Sequence, residues 1–281
     1  MKPSVTLVCL LLPLPVMAAQ VSDVILSAGY TLDDNVTRAE QTANIEKDTI
    51  LSARVRGTYR LPLNQTSNLA FTGDIQHQAY QDFERLSRNT FTLGARYNIQ
   101  TAFEFTSPWY FLGLNLSLEN VDADPRDANV IDLQLGIGKR LTDRTKVVAT
   151  FTRQNHDADN DTFDTRMNRV AVNLDLRTHN RNLAYATLAY TDGDIVVTAA
   201  VPYPASLSGL PHILDTSSYP NLSAPWTYNL SAKTVSLAIG DNYTIAGHQF
   251  VDINLLLYRA DADRDFVYNG SLLQLNYFYQ F

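Results

Sequence analysis

The chain holds one cysteine among its 281 residues, and that one, Cys9, sits inside an apolar N-terminal stretch. A mature form that begins after this stretch has no thiol. It forms no disulfide, offers no cysteine to a metal, and suits an oxidising compartment. Long apolar runs are just as scarce. Beyond the N-terminus no run approaches the roughly 18 apolar residues that a membrane-spanning helix needs. Lysine is rare, and no zinc-ligand spacing, glycine-rich phosphate loop or basic patch for nucleic acid is present. The sequence calls for no cofactor and no nucleic-acid partner.

What the N-terminus does contain is a three-part layout. Lys2 supplies a positive start, Val5 to Val16 an apolar stretch, and Val16-Met17-Ala18 small residues at a cleavage point. This reads as a signal peptide over 1–19, leaving 20–281 as the mature domain. Cys9 is followed by further leucines rather than small residues, which argues against lipidation.

The mature part is rich in Tyr, Asn, Thr and Asp, and its mean hydropathy is slightly negative. Apolar residues nevertheless recur at every second position. Val24, Leu26, Ala28, Tyr30 and Leu32 form one such set; Leu51, Ala53, Val55, Gly57 and Tyr59 form the next. Similar sets start at Leu69, Phe91, Tyr110, Ile131, Val147, Val170, Ala186, Val251 and Leu273. Between Tyr228 and Ile239 the parity changes near Lys233, which admits a bulge or an uncertain strand boundary there. Period-two patterning puts each set on one face of a strand, with about twelve strands of near ten residues in all. Signal peptide, alternation and the lack of a spanning helix together predict an all-β fold, a transmembrane antiparallel up-and-down β-barrel.

Connections support that topology. After even strands they are short, as at 62–67, 141–145 and 178–182; after odd strands most are longer, as at 33–48, 155–166 and about 192–226. Barrels of Gram-negative outer membranes pair short periplasmic turns with longer external loops. The segment 201–226 is unlike the rest: it carries Pro202, Pro204, Pro211, Pro220 and Pro225 and little charge. It fits either a constriction folded into the barrel mouth or an exposed external loop.

The net charge of −7 is a property of the loops. Asp122, Asp124 and Asp127 share one, Asp157, Asp159, Asp161 and Asp164 a second, Asp261, Asp263 and Asp265 a third. Their Asp-Ala-Asp spacing admits weak divalent-cation binding, bridging to lipopolysaccharide, or plain solvation of loop tips. The wall is basic instead. By parity Arg54, Arg56, Arg60, Arg96, Arg140, Arg169 and Arg177 face the lumen, with Asp74, Glu119, Asp132, Asp175 and Asp252. Such arginines either attract carboxylate or phosphate solutes through forked hydrogen bonds or serve as interior salt bridges.

Leu273, Leu275, Tyr277, Tyr279 and terminal Phe281 resemble the C-terminal assembly signal of bacterial outer-membrane β-barrel proteins. That resemblance implies outer-membrane lipid and lipopolysaccharide as surroundings and the barrel-assembly machinery as a partner. In strand count and lumen chemistry the chain is similar to small monomeric porins for acidic oligosaccharides. This implies a porin-like channel for small polar or anionic solutes. Gly29 to Val36 resembles the first hairpin of barrels associated with export, which implies the alternative of export or surface display. A surface hydrolase is the least favoured reading. His77 lacks the serine spacing of barrel lipases, and His156-Asp157 with Asp159 is the nearest approach to a protease pair.

Overall fold

A computed structural model describes residues 21–199, 209–220 and 222–281. The proposed signal peptide, 1–19, and the prolines at 202 and 204 lie outside them. The described chain forms β1 (Val21–Asp33), β2 (Asp48–Pro62), β3 (Ser67–Tyr80), β4 (Arg88–Gln100), β5 (Trp109–Val121) and β6 (Ala128–Arg140). There follow β7 (Thr145–Ala158), β8 (Thr165–His179), β9 (Asn182–Ala199), the short β10 (His212–Leu214), β11 (Trp226–Ala246), β12 (Gln249–Ala262) and β13 (Phe266–Gln280). Every pairing is antiparallel. The order β11-β12-β13-β1-β2-β3-β4-β5-β6-β7-β8-β9 is closed by β9 on β11, so twelve strands make a barrel and β10 stands beside it. All-β, antiparallel and closed, this is the class the alternation predicts.

Side chains explain the closure. Leu51, Val55, Phe91, Leu93, Leu116, Ile131, Val172, Leu188, Ile239, Ile253 and Leu275 are all exposed on the outer face. A surface of this kind suits hydrocarbon, where backbone groups find no water to bond and only a closed ladder pairs them all. The start of β1 at Val21 and the end of β13 lie at one rim, with the turns 63–66, 101–108, 141–144, 180–181 and 247–248. At the other rim the loops 34–47, 81–87, 122–127, 159–164 and 263–265 each carry one turn of 3-10 helix.

The twelve barrel strands run 13 to 21 residues rather than near ten, and the extra length lies at the long-loop rim. There the polarity of the two faces inverts. On β11 Val235, Leu237 and Ile239 are exposed outward, whereas Tyr228, Leu230 and Ala232 are buried on the inward face. Of the two readings at Lys233, the bulge is absent. Pairing with β9 runs without a shift from Trp226↔Ala199 to Tyr243↔Asn182, and the shift on β11 falls at Thr244/Ala246 instead. The apolar pattern changes parity because the solvent changes. Above the lipid the outside is wet, and the inside is a dry core of Val197, Tyr228, Leu230, Ala232, Tyr258, Ala260 and Tyr268.

The seam between β1 and β13 is short, running from Ile25↔Gln280 to Asp33↔Leu272. Side chains of the first loop reinforce it. Ser271 donates its backbone N–H and its hydroxyl to Asp34, and Asn35 Nδ2 donates to the Asn269 carbonyl at 2.9 Å. Arg38 lies over the Tyr258 ring, 5.4 Å from its centre. At the opposite rim Gln280 Nε2 donates to Asp23 at 2.7 Å and the Phe281 N–H to the Val24 carbonyl at 2.9 Å.

Candidate functional site

A cavity of about 1170 Å³ occupies the lumen at the short-turn end. Arg54, Arg56, Arg60, Arg96, Arg140 and Lys146 line it, against Asp74 and Asp132; Thr58, Thr72, Thr92, Asn98, Asn115, Ser117 and Gln134 supply neutral hydrogen-bonding groups. Positive charge therefore predominates inside a chain whose net charge is negative.

The cations are held in three ways. Arg54 and Arg56, two apart on β2, both donate through Nε to the same oxygen of Asp74, at 2.6 and 2.8 Å. That carboxylate is 4% exposed while the two arginines remain about a third to two-fifths exposed, so the trio carries one surplus charge into the lumen. Lys146 pairs with Asp175 at 2.5 Å, and Arg60 reaches Asp23 at 3.5 Å. Arg96 and Arg140 have no carboxylate partner among the described residues and rest on aromatic rings instead. Arg96 Cζ stands 3.5 Å above the centre of Phe111, and Arg140 lies between Phe105 at 5.0 Å and Trp109 at 5.8 Å.

Those rings lie flat because of what β6 lacks. Phe111 faces Gly136 and Trp109 faces Gly138 across the β5–β6 ladder. A Cβ at either glycine would fall inside the facing ring. The absence of a side chain lets each aromatic lie against the backbone and leaves the far face of the ring to a cation.

Of the residues that parity places inside, the cavity gathers Arg54, Arg56, Arg60, Arg96, Arg140, Asp74 and Asp132. Asp132 accepts from Gln154 Nε2 at 2.8 Å. The others sit elsewhere. Arg177 and Asp175 border a smaller hollow of about 170 Å³ at the short-turn rim, together with Arg140, Arg144 and Lys146. Glu119 lies between Arg88 and His156, at 3.8 and 3.7 Å. Asp252 accepts from the Tyr185 hydroxyl at 3.0 Å. Arg169 is half-buried and makes no ion pair among the described residues. Three contributors escaped the sequence reading. Lys146 follows from the parity of Val147, Ala149 and Phe151, a weak set. Trp109 and Phe111 follow from that of Tyr110 and Leu112, but apolar side chains are not expected in a polar lumen.

The long-loop mouth is crossed by the described residues of 209–220 and 222–225. Strand β10 extends the edge of β11 through Ile213↔Thr227, and the chain then reaches the far wall. There Tyr219 packs edge-on against Phe83, ring centres 5.2 Å apart. Arg126 from the β5–β6 loop holds it with an ion pair to Asp215 at 2.9 Å and a bond to the Ser218 hydroxyl at 2.7 Å. Asp215 is 1% exposed and also accepts from the Ser218 N–H and the Ser217 hydroxyl. Burial alone would push its carboxyl up; Arg126 and Ser218 outweigh that and hold it below its ordinary value. The described part of this segment thus takes the inward of the two expected courses.

The acidic loops shape turns. Asp127 accepts from the Val121 N–H at 2.6 Å and Asp164 from the Ala158 N–H at 2.7 Å. Among the described residues no three His, Cys, Asp or Glu side chains converge as metal ligands. His156 turns towards Glu119 and the Phe163 carbonyl, not towards Asp157.

No described protein family and no curated protein matches the chain. Solved structures do. An outer membrane channel from Pseudomonas putida F1 is 14% identical, with a TM-score of 0.62 over 93% of this chain and 96% of that one. The KdgM porin in complex with disordered oligogalacturonate is 11% identical, with a TM-score of 0.49 over 92% and 99%. The second likeness is too distant to argue from; the first, with the closed ladder, gives the chain the fold of a bacterial outer-membrane β-barrel.

Proposed function

We propose that this chain is a channel of the outer membrane for small polar or anionic solutes, inserted there after removal of a signal peptide. One observation carries the reading: the basic cavity, with six cationic side chains against two carboxylates. In a confined space with low-dielectric walls such an excess raises the local concentration of anions and disfavours cations. Threonine, asparagine and glutamine side chains between the cations give a hydrated solute partners along its way. On this reading the short turns are periplasmic, the cavity opens to that side, and the capped mouth faces outward. The reading is non-enzymatic, in keeping with histidines engaged by Glu119 and Asn89 rather than by a nucleophile.

The cap is the observation on the side of the second reading, a barrel that serves export or display of a partner. One experiment separates them. The purified barrel in a planar bilayer under a KCl gradient is expected to conduct, with a reversal potential on the chloride side. A barrel that never conducts, or that prefers potassium, would remove the channel reading.

A further inference from the structure

The cavity's six cations are unequal, and the inequality identifies which of them select. Arg54, Arg56, Arg60 and Lys146 each spend donor groups on a carboxylate. A passing anion competes there with a bonded partner. Arg96 and Arg140 are solvated, lack such a partner among the described residues, and are seated on ring faces. An aromatic face holds a guanidinium by its quadrupole and occupies none of its five N–H groups. These two side chains therefore keep both full charge and free donors.

Resting on the channel reading, we infer that Arg96 and Arg140 form the anion-selecting pair, and that Phe111 with Gly136, and Trp109 with Gly138 beside Phe105, are the residues that position them. The two seats are consecutive. Phe111 and Trp109 are two residues apart on β5, about 7 Å along the strand, so the cations stand at successive levels of one wall. A carboxylate or phosphate moving along that wall passes from one fork to the next, and an anion with two charged groups spaced by a few bonds engages both. Phe111 is only 6% exposed, covered by Gly136 on one face and Arg96 on the other, so its ring serves the guanidinium rather than the solute.

Reversal potentials in planar bilayers test this, first with variants that leave formal charge untouched. Gly136→Ala displaces the ring and Phe111→Leu removes it; each is expected to lose more than about half of the anion preference, although Arg96 remains. Arg96→Met and Arg140→Met should each lower the ratio further, and both more than Arg54→Met, which leaves Arg56 on Asp74. Gly57→Ala is the control, because its added Cβ meets nothing within 4 Å and Gly57 does not line the cavity. Positioning is overturned if Gly136→Ala and Phe111→Leu conduct at the unmodified ratio. The pair itself is overturned if Arg54→Met costs more selectivity than Arg96→Met and Arg140→Met. A silent unmodified protein is a different result, since it removes the channel reading and this inference with it.

Discussion

Replacing Arg126 by Met should release the segment that crosses the outer mouth. The substitution keeps side-chain length and removes the charge that faces Asp215, a carboxylate 1% exposed. Leaving a buried charge without its partner costs about 3–5 kcal/mol. The lower figure suits this site, because Arg126 is itself 19% exposed and the Ser217 hydroxyl and the backbone N–H of residue 218 stay on the carboxylate. A loss of about 3 kcal/mol multiplies the opened population roughly 100-fold. A thiol reports it without background, since Cys9 is the chain's one cysteine and lies in the proposed signal peptide. Ser218→Cys places the reporter at a position with 0% exposure. Its maleimide labelling from outside should accelerate about 100-fold on adding Arg126→Met, because modification of a transiently opened site tracks the open population. Adding Asp215→Asn removes the stranded charge and should restore much of the protection. Acceleration below about threefold would show that Tyr219 on Phe83 holds the segment without the ion pair.

Two further outcomes follow, one from the same contacts and one from the opposite rim. Asp215 is held below its ordinary carboxyl value, so its contribution is present above the unfolded pKa and is lost as pH falls through the folded one. Conductance at fixed ionic strength should therefore stay flat from neutral pH to about pH 4 and rise only below it; a rise already near pH 6 would point to another group. Deleting Phe281 removes a backbone bond to Val24 and a ring 4.8 Å from Tyr279. The fraction of heat-modifiable, folded barrel in isolated membranes should drop while the amount secreted stays constant, and an unchanged folded fraction would make the terminal aromatic incidental.

The strands were legible because lipid and lumen impose opposite polarity at successive residues, a signal that survives without any alignment. The same rule placed Arg54, Arg56 and Arg96 inside. It failed where its premise ends. Above the lipid, Tyr228 and Leu230 turn inward into a dry core, and a change of environment looks like a slip of register near Lys233. Pairings between distant loops leave no periodic trace, so Arg126 and Asp215, 89 residues apart, could not be matched from sequence. The seats of Arg96 and Arg140 were hidden for another reason. They depend on the register that sets Gly136 opposite Phe111 and Gly138 opposite Trp109, and parity alone does not give register.

The reinforced seam bears on how such a barrel comes together and why it stays together. The first loop bonds to β13 through Asp34 and Asn35 and lays Arg38 on Tyr258 of β12. None of those partners exists beside β1 until the last strands have arrived. Neighbouring hairpins can zip in any order, whereas this clasp closes only on a finished ring. Parting β1 from β13 then requires undoing side-chain bonds at one rim and the Gln280 and Phe281 bonds at the other before the short ladder between them can peel. The barrier to opening is raised at the place where an open sheet would otherwise come apart. The loop that follows the barrel's first strand is the last to find its place.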